Sequence, residues 1–558
     1  MRSFDKQRSC SSRLIRYSWI ARVLFVAFLV LSSVLTIREP LWIDELHTLW
    51  SISGNWQDVL DRSTVGNQSP FYFVCIKVYC ELIGLTAQVF GVEIDRYSTT
   101  VLRLSSILGW GVLAWLLSGA VFRLPSNFMA QESATLYEKS LCDKSLCDKS
   151  LYANFLLLII GAIWLASDRI GVFYSNEVRP YVWVAVAGIL LINQTAPTNR
   201  FSVAWIASCC VAFYLHYTSI FIVVLSYLIR FFHASIGGAT GDYTERLVRL
   251  GSSKTTMIRF SEGVALAVFM VPGLEQLLSL YGSASQWASF AGECDIMTLL
   301  RIIPWFAWIG IPGSVVLLRR TWQWGSRTSI IRLDFIPILL ATTCVVTNWF
   351  LCAMGWAPLM HSRYLMVVYP AVWISGIGLL SSLDRLRWIV MLGLIAFGVN
   401  GWLQGSWPLW IRGNFIAWQR TEDWGKAVRV LEEKSLSGDV LLFAPMLIET
   451  QDQQEIDSSS EQVRRYFTFA LEAAMVQNHS STREHNYDVY VLSNKVNSWP
   501  MMLDRYRKTI ETSSRPIWIL ARTNIDLTLS SITDEKPWEI EVIYRSGNLQ
   551  LWQIRLPK

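Results

Sequence analysis

The chain has 558 residues and a formal net charge of +6; 52% of the residues are hydrophobic and only 16% are charged. A soluble protein of this length carries roughly a quarter charged residues, so the composition excludes a single soluble globular chain and points to several membrane spans. The positive balance is small and dispersed, and no Lys/Arg-rich block with interleaved aromatics occurs, which excludes nucleic acid as a partner.

The first 18 residues are polar and basic, with Arg2, Lys6, Arg8, Arg13 and Arg16, and they lead into an apolar stretch that ends near Leu35. No small-x-small cleavage site precedes Arg38-Glu39-Pro40, so this reads as an uncleaved first span behind a cytoplasmic tail rather than a signal peptide. Apolar windows of near-spanning length follow at 99–122, 151–167, 181–195, 202–217, 218–234, 260–280, 298–318, 333–352, 364–381 and 388–404, giving about eleven spans with the first at 19–36. The inner connections carry the larger share of Lys and Arg, among them Arg319, Arg320, Arg327, Arg332, Arg385 and Arg387. That bias and the odd span count together put the C-terminus outside. The expected location is therefore a cell (inner) membrane, crossed many times. The 27 Trp and 20 Tyr suit interfacial belts.

Between the second and third spans lies a five-residue unit repeated from Lys139, too short to build a solenoid. The 10 cysteines form no CxxC pair and no Cys/His metal spacing; Cys209, Cys210, Cys344 and Cys352 lie in apolar runs, where Cys behaves as a small hydrophobe. Beyond Gln404 the composition changes. Glu422 to Lys434 reads as an amphipathic helix, and Gly438–Phe443, Tyr487–Leu492, Pro516–Leu520 and Trp538–Tyr544 read as strands. The expected architecture is a polytopic α-helical membrane domain over 19–404 and a soluble α/β domain over 405–558 on the outer face. The α/β part holds no GxGxxG, GxSxG or His/Cys cluster, and reads as structural or acceptor-handling.

Four polar clusters fall at outer span ends. The first outer loop, 37–98, opens with Asp44-Glu45 and continues through Asn67-Gln68-Ser69-Pro70-Phe71-Tyr72; the next span begins Leu102-Arg103-Leu104-Ser105-Ser106. The loop's amphipathic pieces suit helices in the interface plane, roofing a cavity. The second cluster is Tyr174-Ser175-Asn176-Glu177-Val178-Arg179-Pro180-Tyr181, the third Leu215-His216-Tyr217-Thr218 and the fourth His361-Ser362-Arg363-Tyr364. Singly, each admits a plainer reading: an ordinary wet loop for Asp44-Glu45, an interfacial ion pair for Glu177 and Arg179, interface anchors for the His and Arg residues. Their convergence on one face argues for a site.

In this order the elements resemble the GT-C glycosyltransferases, and more narrowly the bacterial relatives of protein mannosyltransferases and of the lipid A aminoarabinose transferase (the RgtA/B/C/D-like group). The resemblance covers about residues 19–381. It implies a sugar on polyprenyl phosphate as donor, transfer with inversion outside the cytoplasm, and a glycan, lipid or protein acceptor whose identity the sequence does not specify. It assigns Asp44 as general base. Arg179 and Arg363, with Arg103 further off, would meet the charge growing on the lipid phosphate. Some members use a divalent metal, Mg or Mn, held by loop acids, which would fall on Glu45 and Glu177. Gln68-Ser69-Pro70 replaces the family's paired prolines after a His, which leaves Gln68, at the first position, a neutral sugar-binding role; Tyr72, Tyr174, His216 and His361 complete the substrate-binding set. Gly251-Ser252-Ser253-Lys254-Thr255 lacks the glycine and strand of a phosphate loop, so no nucleotide is expected. The rival reading is a transporter or flippase of lipid-linked sugars without transferase activity. It would call for inverted repeats and broken spans at mid-depth.

Overall fold

The structure is a computed structural model that describes residues 19–34, 36–65, 69–132, 155, 157–159, 161–166, 168–195, 200–236, 253–282, 294–302, 309–322, 335–357, 359–381, 418–445, 465–478, 487–492, 515–522 and 539–555. In chain order these hold α1 (Trp19–Val34), α2 (Ile43–Ser53), α3 (Trp56–Val65), α4 (Pro70–Val89) and α5 (Thr99–Glu132). After them come α6 (Leu157–Ala166), α7 (Arg169–Ser175), α8 (Tyr181–Thr195), α9 (Val203–Leu215), α10 (Ile220–Ile236) and α11 (Ser253–Gly282). Next are α12 (Ile296–Arg301), α13 (Ile311–Trp322), α14 (Phe335–Ala353) and α15 (Tyr369–Ser381). The C-terminal part contains α16 (Trp424–Lys434), β1 (Asp439–Ala444), α17 (Phe469–Gln477), β2 (Tyr487–Val491), β3 (Ile517–Arg522), β4 (Glu539–Ser546) and β5 (Leu549–Arg555).

The chain divides into two compact units. One comprises residues 1–35 and 106–414, the other 36–105 and 415–558.

The first unit is helical and apolar. Of its described elements α8, α9, α10, α14 and α15 pack against one another through nearly continuous buried faces. One close approach is at Gly188 on α8, where a Cβ would lie 2.2 Å from the Val367 carbonyl oxygen. Only glycine lets the α8 backbone sit there. At one end of the bundle the charges are paired inside. Glu262 on α11 accepts from Arg230 Nη2 on α10 at 3.0 Å and from Arg259 Nη1 at 2.6 Å. The same carboxylate accepts from the Ser202 backbone N–H ahead of α9 at 2.9 Å, while Arg230 donates to the Gln194 carbonyl in the last turn of α8. A carboxylate thus meets the positive start of one helix and a guanidinium the negative end of another, the favourable sense for both dipoles.

Cys294 and Cys352 form a disulfide between the segment ahead of α12 and the end of α14. This corrects the reading of Cys352 as a free apolar side chain. Trp349 Nε1 donates to the Asp295 carbonyl at 3.0 Å and fastens the same two segments.

Four described helices are long and apolar enough to cross a membrane: Pro70–Val89, Thr99–Val121, Thr256–Leu278 and Ile336–Ala353; α1, α6, α8, α9, Tyr217–Phe232 and Tyr369–Leu380 are shorter apolar helices. They coincide with most of the expected windows. The window at 388–404 lies outside the described residues, and 298–318 is described only in part, by α12 and α13. The addition is α4, expected as an amphipathic piece of a loop. Its face bearing Tyr72, Phe73, Ile76, Lys77 and Cys80 is buried, while Val78, Leu82, Leu85 and Val89 remain exposed.

The second unit joins α2, α3 and α4 to a five-stranded sheet of order β2-β1-β3-β5-β4. The strands β2, β1 and β3 are parallel and β5 and β4 antiparallel. The parallel strands β1 and β3 are buried almost throughout, as expected for strands covered on both faces. The four expected strands are present. The fifth, β5, and the helix α17 were not anticipated. Within this unit α17 packs on α2 through rings: His47 lies 5.2 Å from Phe469 and 5.9 Å from Tyr466, and Trp50 donates from Nε1 to Glu472 at 2.8 Å. Buried Arg420 pairs with Glu39 at 3.0 Å.

Candidate functional site

Six of the residues singled out from sequence lie in the first unit: Tyr174, Glu177, Arg179, His216, His361 and Arg363. The structure brings them together. Asp168 caps α7 by accepting from the Ile170 and Gly171 backbone N–H groups at 3.2 and 3.1 Å, and Tyr369 donates its hydroxyl to the same carboxylate at 2.5 Å. This fixes the short helix that ends at Tyr174-Ser175. The chain then turns, with Arg179 N donating to the Glu177 carbonyl at 2.8 Å, and Pro180 starts α8. Proline keeps the preceding Arg179 from continuing a helix. Ser106 donates to the Glu177 carbonyl at 2.6 Å and holds the turn against α5.

The other pieces arrive from two further turns. His216 breaks α9 from the 3-10 turn Tyr217–Ser219, and its Nδ1 lies 2.7 Å from the Thr218 hydroxyl. The second 3-10 turn, Ser362–Leu365, carries Arg363. Tyr174 and Ser362 share a 2.9 Å hydrogen bond. Rings run in sequence from Tyr174 to Tyr181 at 5.0 Å, Tyr181 to His216 at 5.8 Å, His216 to Tyr364 at 5.5 Å and Tyr364 to His361 at 6.0 Å. The Arg363 guanidinium lies 4.9 Å from the Tyr364 ring centroid and donates to that residue's hydroxyl at 3.0 Å.

Electrostatics tie the cluster together. Burial first, then the Arg363 and Arg179 cations, push the His216 imidazole down from 6.5 to about 3. The histidine is therefore neutral, and both guanidinium groups act on it. The Tyr174 phenol is raised well above its ordinary value, by burial first and by the charge of Glu177 second. The guanidinium groups of Arg179 and Arg363 thus stand with the carboxylate of Glu177 around a neutral His216. Guanidinium groups in such a place favour an anion.

The second unit holds Asp44, Glu45, Tyr72 and Arg103; Gln68 lies outside the described residues. Asp44 and Glu45 are consecutive in the first turn of α2, so they point about 100° apart around it. Glu45 is fully buried against Arg103, which donates from Nη2 at 2.8 Å and from Nε at 3.3 Å. The other Arg103 donors go to the carbonyls of Thr36 at 3.0 Å, Glu39 at 2.5 Å and Pro40 at 2.8 Å. All five guanidinium N–H groups are thereby committed, which replaces the expected substrate-binding role of Arg103 by one of holding the loop.

Glu45 also accepts from the Trp42 backbone N–H at 3.2 Å. A carboxylate neutralised by a guanidinium and closed to solvent does not fit a metal-ligand role. Among the described residues no group of three or more His, Cys, Asp or Glu side chains stands placed for a metal. Asp44, by contrast, is half-buried. Its charge acts on Glu422, whose carboxyl is raised mainly by burial and is opposed by Arg522. Tyr72 is buried on α4, the helix that packs on α2 and α3.

Sequence reasoning gave no role to Asp168, Tyr369, Ser362 or Tyr364. The first stands at a helix N-cap and the last two flank Arg363, so position alone could have marked them.

No protein-family description matches the chain, and no curated protein matches it. Among solved structures it is similar to ArnT from Cupriavidus metallidurans bound to undecaprenyl phosphate, at 11% identity and a TM-score of 0.46 over 97% of this chain and 98% of that one. The apo state of the same protein is similar at 11% identity and a TM-score of 0.31, over 96% of this chain and 97% of that one. A likeness at these scores decides neither activity nor substrate; the residues have to carry the functional reading.

Proposed function

We propose that this chain is a membrane glycosyltransferase of GT-C type that moves a sugar from a polyprenyl-phosphate donor to an acceptor outside the cytoplasm. The observation that carries the reading is the convergence of Arg179 and Arg363 on a neutral His216 within a wall of tyrosines. A phosphodiester-linked sugar needs cations for the phosphate and neutral hydrogen-bonding rings for the sugar. Charge-assisted hydrogen bonds to phosphate are about twice as strong as neutral ones. They strengthen further as the leaving phosphate gains charge, which is where catalysis needs them.

The general base is assigned to Asp44, the partly exposed acid of the pair. It would take the acceptor hydroxyl proton as the acceptor oxygen attacks the anomeric carbon and the lipid phosphate leaves with the bonding electrons, inverting that carbon. No step is routed through a metal, because Glu45 is occupied by Arg103.

Single-turnover transfer from radiolabelled undecaprenyl-phosphate sugars, with purified protein, tests the reading. Asp44→Asn should slow transfer about 10²–10⁴-fold, the typical loss on removing a general base, while leaving thermal stability unchanged. Transfer at the wild-type rate would move the base elsewhere, with Glu177 next. A protein that relocates such lipids across vesicle membranes without transferring the sugar would establish the flippase reading.

A further inference from the structure

On α14 the residues Leu340, Ala341, Cys344, Val345 and Asn348 form one buried stripe at helical spacing, each 2% exposed or less. Four are apolar. The fifth is an amide, 1% exposed, whose Nδ2 and Oδ1 make no hydrogen bond among the described residues. Buried polar groups are almost always paired, and an unpaired one calls for a specific reason. In a helix long and apolar enough to cross a membrane, an amide ordinarily hydrogen-bonds to a neighbouring helix, so one that makes no such bond stands out.

The position of Asn348 supplies that reason. It stands about 7–8 Å from the end of α14 at Ala353, from the rise of 1.5 Å per residue. Beyond that end the chain runs to His361–Tyr364, where the Tyr364 ring meets His216. Asn348 therefore lies at the end of the bundle that carries the cationic cluster. α14 packs on α10, and the turn entering α10 holds Ser219. That residue is buried, with a hydroxyl that also makes no hydrogen bond, and its backbone N–H donates to the His216 carbonyl at 2.9 Å. Two neutral polar groups, one on α14 and one in the turn entering α10, thus stand unpaired among the described residues at the cluster's end of the bundle.

We propose that Asn348, assisted by Ser219, binds hydroxyl groups of the sugar carried by the donor, and so contributes to which sugar is accepted. This rests on the transferase reading and adds the sugar-recognising residues to it. A primary amide presents one donor group and one acceptor side by side, which matches a sugar hydroxyl acting as acceptor and donor at once. A phosphate offers only acceptors and would leave the amide oxygen unmatched. The anion is accordingly assigned to Arg179 and Arg363, and the neutral polyol to Asn348.

The test uses the full-length protein in detergent with Asn348→Leu and Ser219→Ala, and two readouts. The first is thermal unfolding without ligand. Asn348→Leu removes an unpaired buried amide at nearly constant volume, so its midpoint should equal or exceed that of wild type. A clear drop would mean that the amide supports the fold, and would overturn the assignment. The second is binding of undecaprenyl phosphate and of a panel of undecaprenyl-phosphate monosaccharides. Wild type should hold at least one sugar-bearing lipid more tightly than the bare phosphate. Asn348→Leu should keep the affinity for bare phosphate and lose roughly tenfold or more on the sugar-bearing lipid, with a smaller loss in Ser219→Ala. A sugar preference that persists in Asn348→Leu would overturn the Asn348 assignment alone. A wild type that binds no sugar-bearing lipid better than the bare phosphate, and transfers none, would overturn the transferase reading and this inference with it.

Discussion

Replacing Glu45 by Gln, or Arg103 by Met, tests whether the first conspicuous acid after the opening span serves the fold or the chemistry. The pair is closed to solvent, with Nη2 to Oε2 at 2.8 Å and Nε to Oε1 at 3.3 Å. Arg103 also supports the carbonyls of Thr36, Glu39 and Pro40. Removing one member of a buried pair leaves the other charge unsolvated and costs about 3–5 kcal/mol. For a cooperative unit of some 200 residues each kcal/mol moves the melting temperature by about 2–4 °C, so either single variant should melt on the order of 10 °C lower. Melting followed by tryptophan fluorescence in detergent reports this, because Trp42 and Trp50 stand on the affected loop and helix. The double variant Glu45→Leu/Arg103→Met leaves no stranded charge, and should recover a large part of the loss. Single variants that melt with wild type yet fail to transfer sugar would refute the structural assignment and return Glu45 to the reaction.

Arg179→Ala and Arg363→Ala should each weaken binding of undecaprenyl phosphate while the protein stays folded, and Lys should rescue only in part, since a point charge does not reproduce the guanidinium fork; unchanged affinity in both would make them interface anchors. His216 should make stability fall on acidification. Its folded pKa is depressed from 6.5 to about 3, so between those values the unfolded chain binds a proton that the folded chain does not, and stability is lost as pH falls through that window. Melting temperatures from pH 7 to pH 4 should show a shallower slope for His216→Gln, and an identical slope would refute the burial argument. Gly188→Ala should destabilise the helical unit, because its Cβ would lie 2.2 Å from the Val367 oxygen; a wild-type melting profile would show that α8 can shift at no cost.

Local pattern carried much of this molecule. The runs around Val440, Val489 and Ile519 are short, apolar and bounded by polar segments, and they form strands where expected. β5 escaped notice because Gln550 and Gln553 interrupt its apolar run, although both glutamines are buried in the folded unit. The six clustered residues of the first unit were legible as polar groups at span ends. Their common dependence on Asp168 and Tyr369 was not, since a cap and a phenol separated by 201 positions leave no shared signal in sequence. Arg103 misled for a related reason. A lone arginine in an apolar helix looks like a ligand for an anion, and only the folded loop shows that backbone carbonyls take its donors. The Cys294–Cys352 bridge spans 58 positions and follows no spacing rule. Asn348 was visible throughout as an amide in an apolar run; what sequence could not give was its want of a partner.

The paired charges of α10 and α11 also bear on how the chain enters a membrane. Arg230 belongs to a largely apolar helix, and Glu262 to the next described helix. On insertion scales a charged residue is disfavoured by about 2.5–3.5 kcal/mol at the centre of a spanning helix and by less toward its ends, where long side chains reach the interface, so neither segment is best placed in lipid alone. Arg230 is synthesised first and waits for its carboxylate. Until Glu262 emerges, α10 is better held at the translocation machinery or at the interface than released among acyl chains. The two segments would then leave for the bilayer with Glu262 matched to the guanidinium groups of Arg230 and Arg259, and the unit of insertion at this point of the chain is a pair of helices.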